Sequence, residues 1–457
     1  RLTAPPPHER VLQASWGSVS NAVEKIVQSE HYSEIRLGHP SLIALIAVLD
    51  RMAVSPFPEA LNSSDSGLMS WGNWDVRVYV ASSYMSLAAF SSSNAESLRD
   101  RLIRVLDDPA PSVRLQVVQS LNTLWEVDRD HMWRMAAKVA AEEIDIGVIG
   151  FFIGGPLLRL ADVAPERCEE FISGILARLP RRQKEESRQG DFYEAIASMA
   201  SRLWVVGGRN TAHGWILNWV RTLEDSDAYL WPLVSWLRGP LFARYQNDST
   251  DRDGEIQNRA QEVLRAVVDS AGDALGAAKL ELMDGSTAEP QRIAAERQYK
   301  AGLRLMEHSC NQLYFGSGAF KNGNTGRNGV GLGDEGMMRK FLAEYEDILD
   351  RISLSGNAAV AYHLVELYDH LAGASPELVF DKVAALVVGP AASDGYHYES
   401  LALDSVVSLV RRYLADYRAA FDDASRRARL VSVLELFSSA GWPEALKLLY
   451  ELPDLLR

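Results

Sequence analysis

The chain has 457 residues, a formal net charge of -14, 47% hydrophobic and 24% charged residues. That is ordinary folding sequence with ample core material, and its acidity argues against a protein that wraps nucleic acid over its whole surface. Only two cysteines are present, Cys168 and Cys310. They stand too far apart for a disulfide framework or zinc-ligand spacing, so we expect buried structural thiols and a cytoplasmic, reducing setting.

The start, RLTAPPPHERVLQ, has neither an initiator methionine nor a charged leader before an apolar core, and reads as a cut inside a longer protein. Over 95–106 the apolar positions Leu98, Leu102, Ile103, Val105 and Leu106 recur at helical spacing. Asp107 and Asp108 end that helix, and Pro109 and Pro111 force the chain out of α geometry near the first turn of the next. The following helix carries Val113, Val117, Leu121, Leu124 and Trp125 on one side, with the Ser112 hydroxyl placed to take up a free amide at its start. Further helices are expected over 127–143, 165–179, 193–206, 212–223, 229–237, 255–271, 358–371, 376–388, 400–420 and 425–438. The longest uncharged apolar run, GVIGFFIGGPLL over 147–158, is shorter than the roughly 20 residues a membrane helix needs. It reads as a buried helix packed closely through its glycines, and no membrane partner is expected. Strand-like alternation is nearly absent. Helix pairs at intervals of roughly 35 to 50 residues indicate an all-α chain, an irregular α-solenoid of antiparallel helix pairs.

The stretch LDDPAPSVRLQVVQSL, read as Leu106, Asp108, Pro109, Val113, Arg114 and Leu121, resembles the inter-helix turn of a HEAT repeat. In that family the aspartate and arginine support packing between successive repeats, which implies a structural junction at Asp108 and Arg114. A charged pair there can satisfy buried hydrogen-bonding groups and fix the stacking register. Later units depart from the motif, since VAYHLVELYDHLAGASPELVF has no matching valine-arginine step, so the chain is HEAT-like or armadillo-like. The expected organisation is HEAT-like repeats with an aromatic-rich middle over 1–310, a glycine-rich insertion over 311–340, and carboxy-terminal repeats over 341–457.

The insertion, GSGAFKNGNTGRNGVGLGDEG over 316–336, holds too many glycines for a helix interior. It fails the GxxxxGK[ST] pattern and lacks a preceding strand, so no nucleotide or other cofactor is expected. It reads as a flexible loop, with Lys321 and Arg327 as its adhesive residues, whose removal leaves stability nearly unchanged. Five of the eleven tryptophans lie between Trp204 and Trp236. Trp215, Trp219, Trp231 and Trp236 are therefore candidates for partner binding on an aromatic wall.

These features point to a non-catalytic protein-recognition or scaffold region of a larger multidomain protein. The ending WPEALKLLYELPDLL, in an acidic chain of irregular helix pairs, is similar to the carboxy-terminal repeats of bacterial STAND-type antiviral ATPases. That resemblance implies the target-sensing part of an immune ATPase, with self-association through upstream parts of the parent. Two alternatives stand beside this reading. His363, Glu366 and His370 share a helix face and could hold a metal or acid-base site of a hydrolase, although no HExxH order is present. Arg178, Arg181, Arg182, Lys184 and Arg188 could form a nucleic-acid-binding patch.

Overall fold

The computed structural model describes residues 7–27, 29, 40–58, 75–179, 189–246, 248–285, 287–320, 331–393 and 395–455. Every regular element among them is helical. The architecture is an irregular α-solenoid of antiparallel helix pairs, and the chain divides into two compact units, Arg1–Leu203 and Trp204–Arg457.

The first unit contains α1 (Pro7–Val27), α2 (Pro40–Met52), α3 (Val76–Ala88), α4 (Ser92–Leu106), α5 (Pro111–Val118), α6 (Arg129–Glu142), α7 (Ile146–Phe152), α8 (Leu158–Leu160), α9 (Pro165–Arg178) and α10 (Gln189–Ser201). Local chemistry sets the starts. Ser91 accepts from the Asn94 amide at the head of α4, and Asp145 accepts from the Gly147 and Val148 amides at the head of α7. Pro111 and Pro165 fill first-turn positions whose amides have no helical partner. α3 packs on α4 and α5, α4 on α6, α5 on α7, and α7 on α10. Each hairpin is thus covered by the next, as a stack requires.

Two local expectations change. The helix anticipated from Val113 to Trp125 stops at Val118, and a 3-10 turn, Leu121–Leu124, completes the apolar side. Its N-cap is Ala110 without a side-chain bond, while Ser112 lies buried inside the helix. The amide of Ala110 goes to Asp108 Oδ1 at 2.8 Å, so the aspartate fixes the turn that leads into the helix. The apolar run over 147–158 is also not one regular helix. Pro156 has no amide to give, and the chain widens into a π-type turn, Ile153–Leu157, between α7 and α8. A Cβ on Gly154 would stand 3.3 Å from that of Ala195, so α10 closes tightly there.

The second unit contains α11 (Asn210–Arg221), α12 (Leu223–Trp236), α13 (Asp251–Met283), α14 (Glu289–Ser317), α15 (Glu335–Ser353), α16 (Ala358–Leu371), α17 (Pro376–Val388), α18 (Pro390–Ser393), α19 (Ser400–Asp416), α20 (Ala424–Ser439) and α21 (Pro443–Leu455). Its helices form two rows. α12, α14, α16 and α19 are successive neighbours in one; α11, α13, α15, α17 and α20 follow one another in the other. Pairs such as α13 with α14 and α16 with α17 join the rows.

α13 outruns the expected 255–271 at both ends. A capping box between Thr250 and Asp253 opens it, and buried Ala274, Leu275 and Ala278 carry it onward against α14. α14 was not anticipated. At Gly302 a Cβ would stand 2.9 Å from Leu275 Cγ, and at Gly316 only 2.2 Å from the Phe242 ring. The glycines are therefore contact points of a packed helix. Left-handed Gly318 ends α14, and the Leu332 amide returns to the Ser317 carbonyl at 2.9 Å. The glycine-rich stretch lies inside the second unit, and α14, which runs to Ser317, and α15, which starts at Glu335, cover both ends of the expected 311–340 insertion.

Candidate protein-interaction surface

Asp108 and Arg114 point in opposite directions along the first unit. Arg77 of α3 donates to both Asp108 carboxylate oxygens at 2.8 and 3.0 Å, and also to the carbonyls of Ser55 and Pro58. Arg114 donates to both oxygens of Glu143, beyond α6, at 2.7 and 2.8 Å. Its remaining amine group takes the carbonyls of Asp108 and Pro109. Arg99 adds a third such link, to Asp128, at 2.7 and 3.0 Å. Each pair is two-pronged, the geometry that makes arginine-carboxylate bonds strongest.

The two helix rows of the second unit turn different chemistry outward. In the α13, α15, α17, α20 row, Arg265 pairs with Asp347, and Arg351 with Asp269 and Asp273. Lys382 pairs with Glu346 and Asp350, and Asp381 receives both Arg426 and Arg429. These charges are spent on neighbouring helices. Both rows expose aliphatic groups, Leu280, Met283 and Val388 on this one and Leu401 on the α12, α14, α16, α19 row, but exposed aromatic rings stand at the second: Trp231 and Phe315 on its helices, with Phe320 just after α14 and Tyr398 just before α19.

The seam between α12 and α14 is ordered in detail. The Trp231 indole stacks on His308 with centroids 3.7 Å apart, and the Arg304 guanidinium lies 5.1 Å from the same indole. His308 Nε2 meets the Ser235 hydroxyl at 2.7 Å and the Trp231 carbonyl at 3.1 Å. Burial, together with the charges of Arg238 and Arg304, lowers the His308 pKa to about 4, against a weaker opposing effect of the Trp231 carbonyl. Arg238 donates to Gln312 Oε1 at 2.9 Å and lies 5.3 Å from the Phe315 ring.

Across the next seam, Glu366 accepts from the hydroxyls of Tyr314 at 2.5 Å and Tyr362 at 3.1 Å. His363 stacks on Tyr314 with centroids 4.7 Å apart, and its burial lowers its pKa. His370 lies half-buried a turn beyond Glu366. Among the described residues, no group of three or more His, Cys, Asp or Glu side chains is placed to hold a metal ion. Glu366 is engaged by tyrosines, and His363 shares Tyr314 with it.

The four tryptophans do not form one wall. Trp215 and Trp219 belong to α11, Trp231 and Trp236 to α12, and these helices lie in different rows. Trp219 is 5% exposed and stacks on Tyr229, Trp215 and Trp236 are half-buried, and Trp231 is 39% exposed. Phe315 and Phe320, whose ring centroids lie 5.3 Å apart, are exposed as well, and tryptophan density in the sequence gives no signal for them. Lys321 and Arg327 lie outside the described residues, as do Arg181, Arg182, Lys184 and Arg188. Arg178 donates to the Ala140 carbonyl at 3.1 Å. Cys168 and Cys310 are buried, and burial, with Glu169 and Glu166 nearby, pushes the Cys168 thiol up to about 12. No helix among the described residues is long and apolar enough to cross a membrane.

No protein-family model matches the chain, and no curated protein matches it significantly. Among solved structures, the chain is similar to a crystal structure of a Kap121p mutant, at 13% identity over 93% of this chain and 50% of that one. It therefore spans about half the length of that protein's chain. The TM-score is 0.28, a likeness that carries no conclusion about function.

Proposed function

We propose that this chain is a non-catalytic protein-recognition region of a larger multidomain protein, and that it binds through the α12, α14, α16, α19 row. The observation that carries the reading is the contrast between the rows of the second unit. One row carries linked ion pairs between neighbouring helices, which help hold the stack together, and its exposed apolar groups, Leu280, Met283 and Val388, are aliphatic. The other leaves Trp231, Phe315, Phe320, Tyr398 and Leu401 in water, and large aromatic groups on a rigid support are what protein interfaces use as anchors. A more specific setting, the target-sensing part of a cytoplasmic bacterial STAND-type ATPase, rests on the resemblance of the carboxy-terminal segment alone.

The test is site-specific photo-crosslinking in the full-length parent protein, in its native cells. A photoreactive residue replaces either Leu401 on the aromatic row or Asp273 on the charged row, and adducts are identified by mass spectrometry. A specific protein adduct from position 401 and none from position 273 is expected. Adducts equally abundant from both positions, or none from 401, would overturn the assignment of the face.

A further inference from the structure

We propose that the seam between α12 and α14 takes an acidic segment of a partner protein, with a carboxylate on Arg238 and an apolar side chain between Trp231 and Phe315. This rests on the reading that the aromatic row is the recognition face, and adds the chemistry of what it recognises.

The argument begins with charge. Elsewhere on this row the arginines that touch aromatic rings have carboxylates: Arg304 pairs with Asp227 at 3.0 Å, and Arg412 with Asp369 at 3.0 Å. Arg238 has none among the described residues, although the chain carries 61 acidic residues against 47 lysines and arginines. Its Nε donates to Gln312 Oε1, a neutral acceptor, leaving its two terminal amine groups without a protein acceptor among the described residues.

That guanidinium is also held in place. Gln312 is fully buried, and its own amide donates to the His308 carbonyl at 2.9 Å, so the oxygen that receives Arg238 is fixed. The Phe315 ring, 5.3 Å from the same guanidinium, supports the cation as well. A guanidinium oriented in advance loses little freedom on meeting a carboxylate, and its planar fork suits a two-pronged bond. Trp231 and Phe315, 39% and 37% exposed, supply apolar surface along the same seam.

The chemistry favours a protein carboxylate over a nucleic-acid backbone. A phosphate chain gains affinity from several cations acting together, whereas Asp227 already neutralises Arg304, and Glu307 stands one residue from His308 on α14. One oriented arginine between two aromatic anchors suits a segment in which acidic and apolar residues alternate.

The test uses the intact chain and fluorescein-labelled peptides of alternating acidic and apolar residues. Otherwise identical peptides carry glutamine or lysine in place of the acids, and a single-stranded RNA of similar length is the fourth probe. Anisotropy titrations at low salt should show preference for the acidic peptide. R238E should weaken its binding by at least about tenfold, and R238Q, which removes charge while keeping hydrogen-bonding capacity, should cause most of the same loss. W231A should also weaken it, with circular dichroism confirming that each variant remains folded. Equal affinity for acidic and glutamine peptides, absence of acidic-peptide binding, or tighter RNA binding that R238E abolishes would overturn the proposal. If the glutamine or lysine peptide binds at least as tightly as the acidic one and W231A abolishes that binding, the recognition face survives and its acidic preference fails. If every probe binds but ignores W231A, both fail.

Discussion

Arg114 and Arg427 make the same pair of backbone hydrogen bonds, one in each unit. Arg114 donates to the carbonyls of residues six and five before it, Asp108 and Pro109, at 2.7 and 3.2 Å. Arg427 donates to Phe421 and Asp422 at 2.7 and 2.9 Å. Each is the fourth residue of its helix, and each ties that helix to the turn before it. Only Arg114 also grips a buried carboxylate, Glu143. R114A is therefore expected to destabilise by about 2 to 3 kcal/mol and R427A by about 1 kcal/mol. Urea unfolding followed by circular dichroism measures both. Equal losses would show that the Glu143 bond adds nothing net, and no loss in R114A would remove its assigned role at the junction.

His308 should make the fold sensitive to acid. Its folded-state pKa of about 4 lies below the ordinary value of 6.5, so the fold favours the neutral ring. As pH falls below about 6.5 the unfolded chain takes up a proton first, and stability falls until the folded pKa is passed. The full effect is on the order of 3 kcal/mol. H308Q should keep the polar contact while losing this dependence. Unfolding free energies between pH 7 and about pH 4.5 are expected to fall less steeply for H308Q than for the parent. Parallel curves would show that His308 contributes no linkage.

Gly316 is expected to resist the smallest possible enlargement. Its missing Cβ would lie 2.2 Å from the Phe242 ring, which is itself stacked on Phe341 at 5.5 Å. Neither ring can retreat without disturbing the other, so G316A should cost about 1 to 3 kcal/mol. Gly333 has open space at the same position, and G333A should be near neutral. Comparable melting temperatures for the two variants would mean that α14 shifts freely over Phe242.

The repeating plan is legible because amphipathic periodicity and proline turns are local properties, and LDDPAPSVR places both junction residues at a helix boundary. α14 is not legible in that way. Where helices press on it, its contacts use Gly302 and Gly316, and its buried positions include His308, Ser309 and Gln312. A search for apolar spacing passes over such residues. The candidate face is hidden for a different reason: Trp219 and Trp231 have the same chemistry in sequence, and only the row each helix joins decides which one water reaches. The second arginine turn, around FDDASRRAR, lacks the prolines that made the first conspicuous.

The glycine-rich stretch should respond to where it is cut. The expectation that all of 316–336 can be removed without loss does not fit the structure, because this range contains buried Gly316, Ser317, Ala319 and Leu332. The Leu332 amide also bonds to the Ser317 carbonyl, closing the end of α14. Burial of Leu332 alone contributes about 1.5 to 3 kcal/mol, and removing Gly316 exposes the Phe242 contact as well. By contrast, a Cβ on Gly318 would stand 3.5 Å from Gly331 Cα, so the two sides already meet before and after 321–330. Replacing 321–330 with a short glycine-serine link should therefore leave the melting temperature within about 2 °C, whereas deleting 316–336 should lower it by several times as much. Equal melting temperatures for the two deletions would mean that the Ser317–Leu332 closure contributes nothing. A large loss from the short replacement alone would mean that 321–330 itself supports the fold.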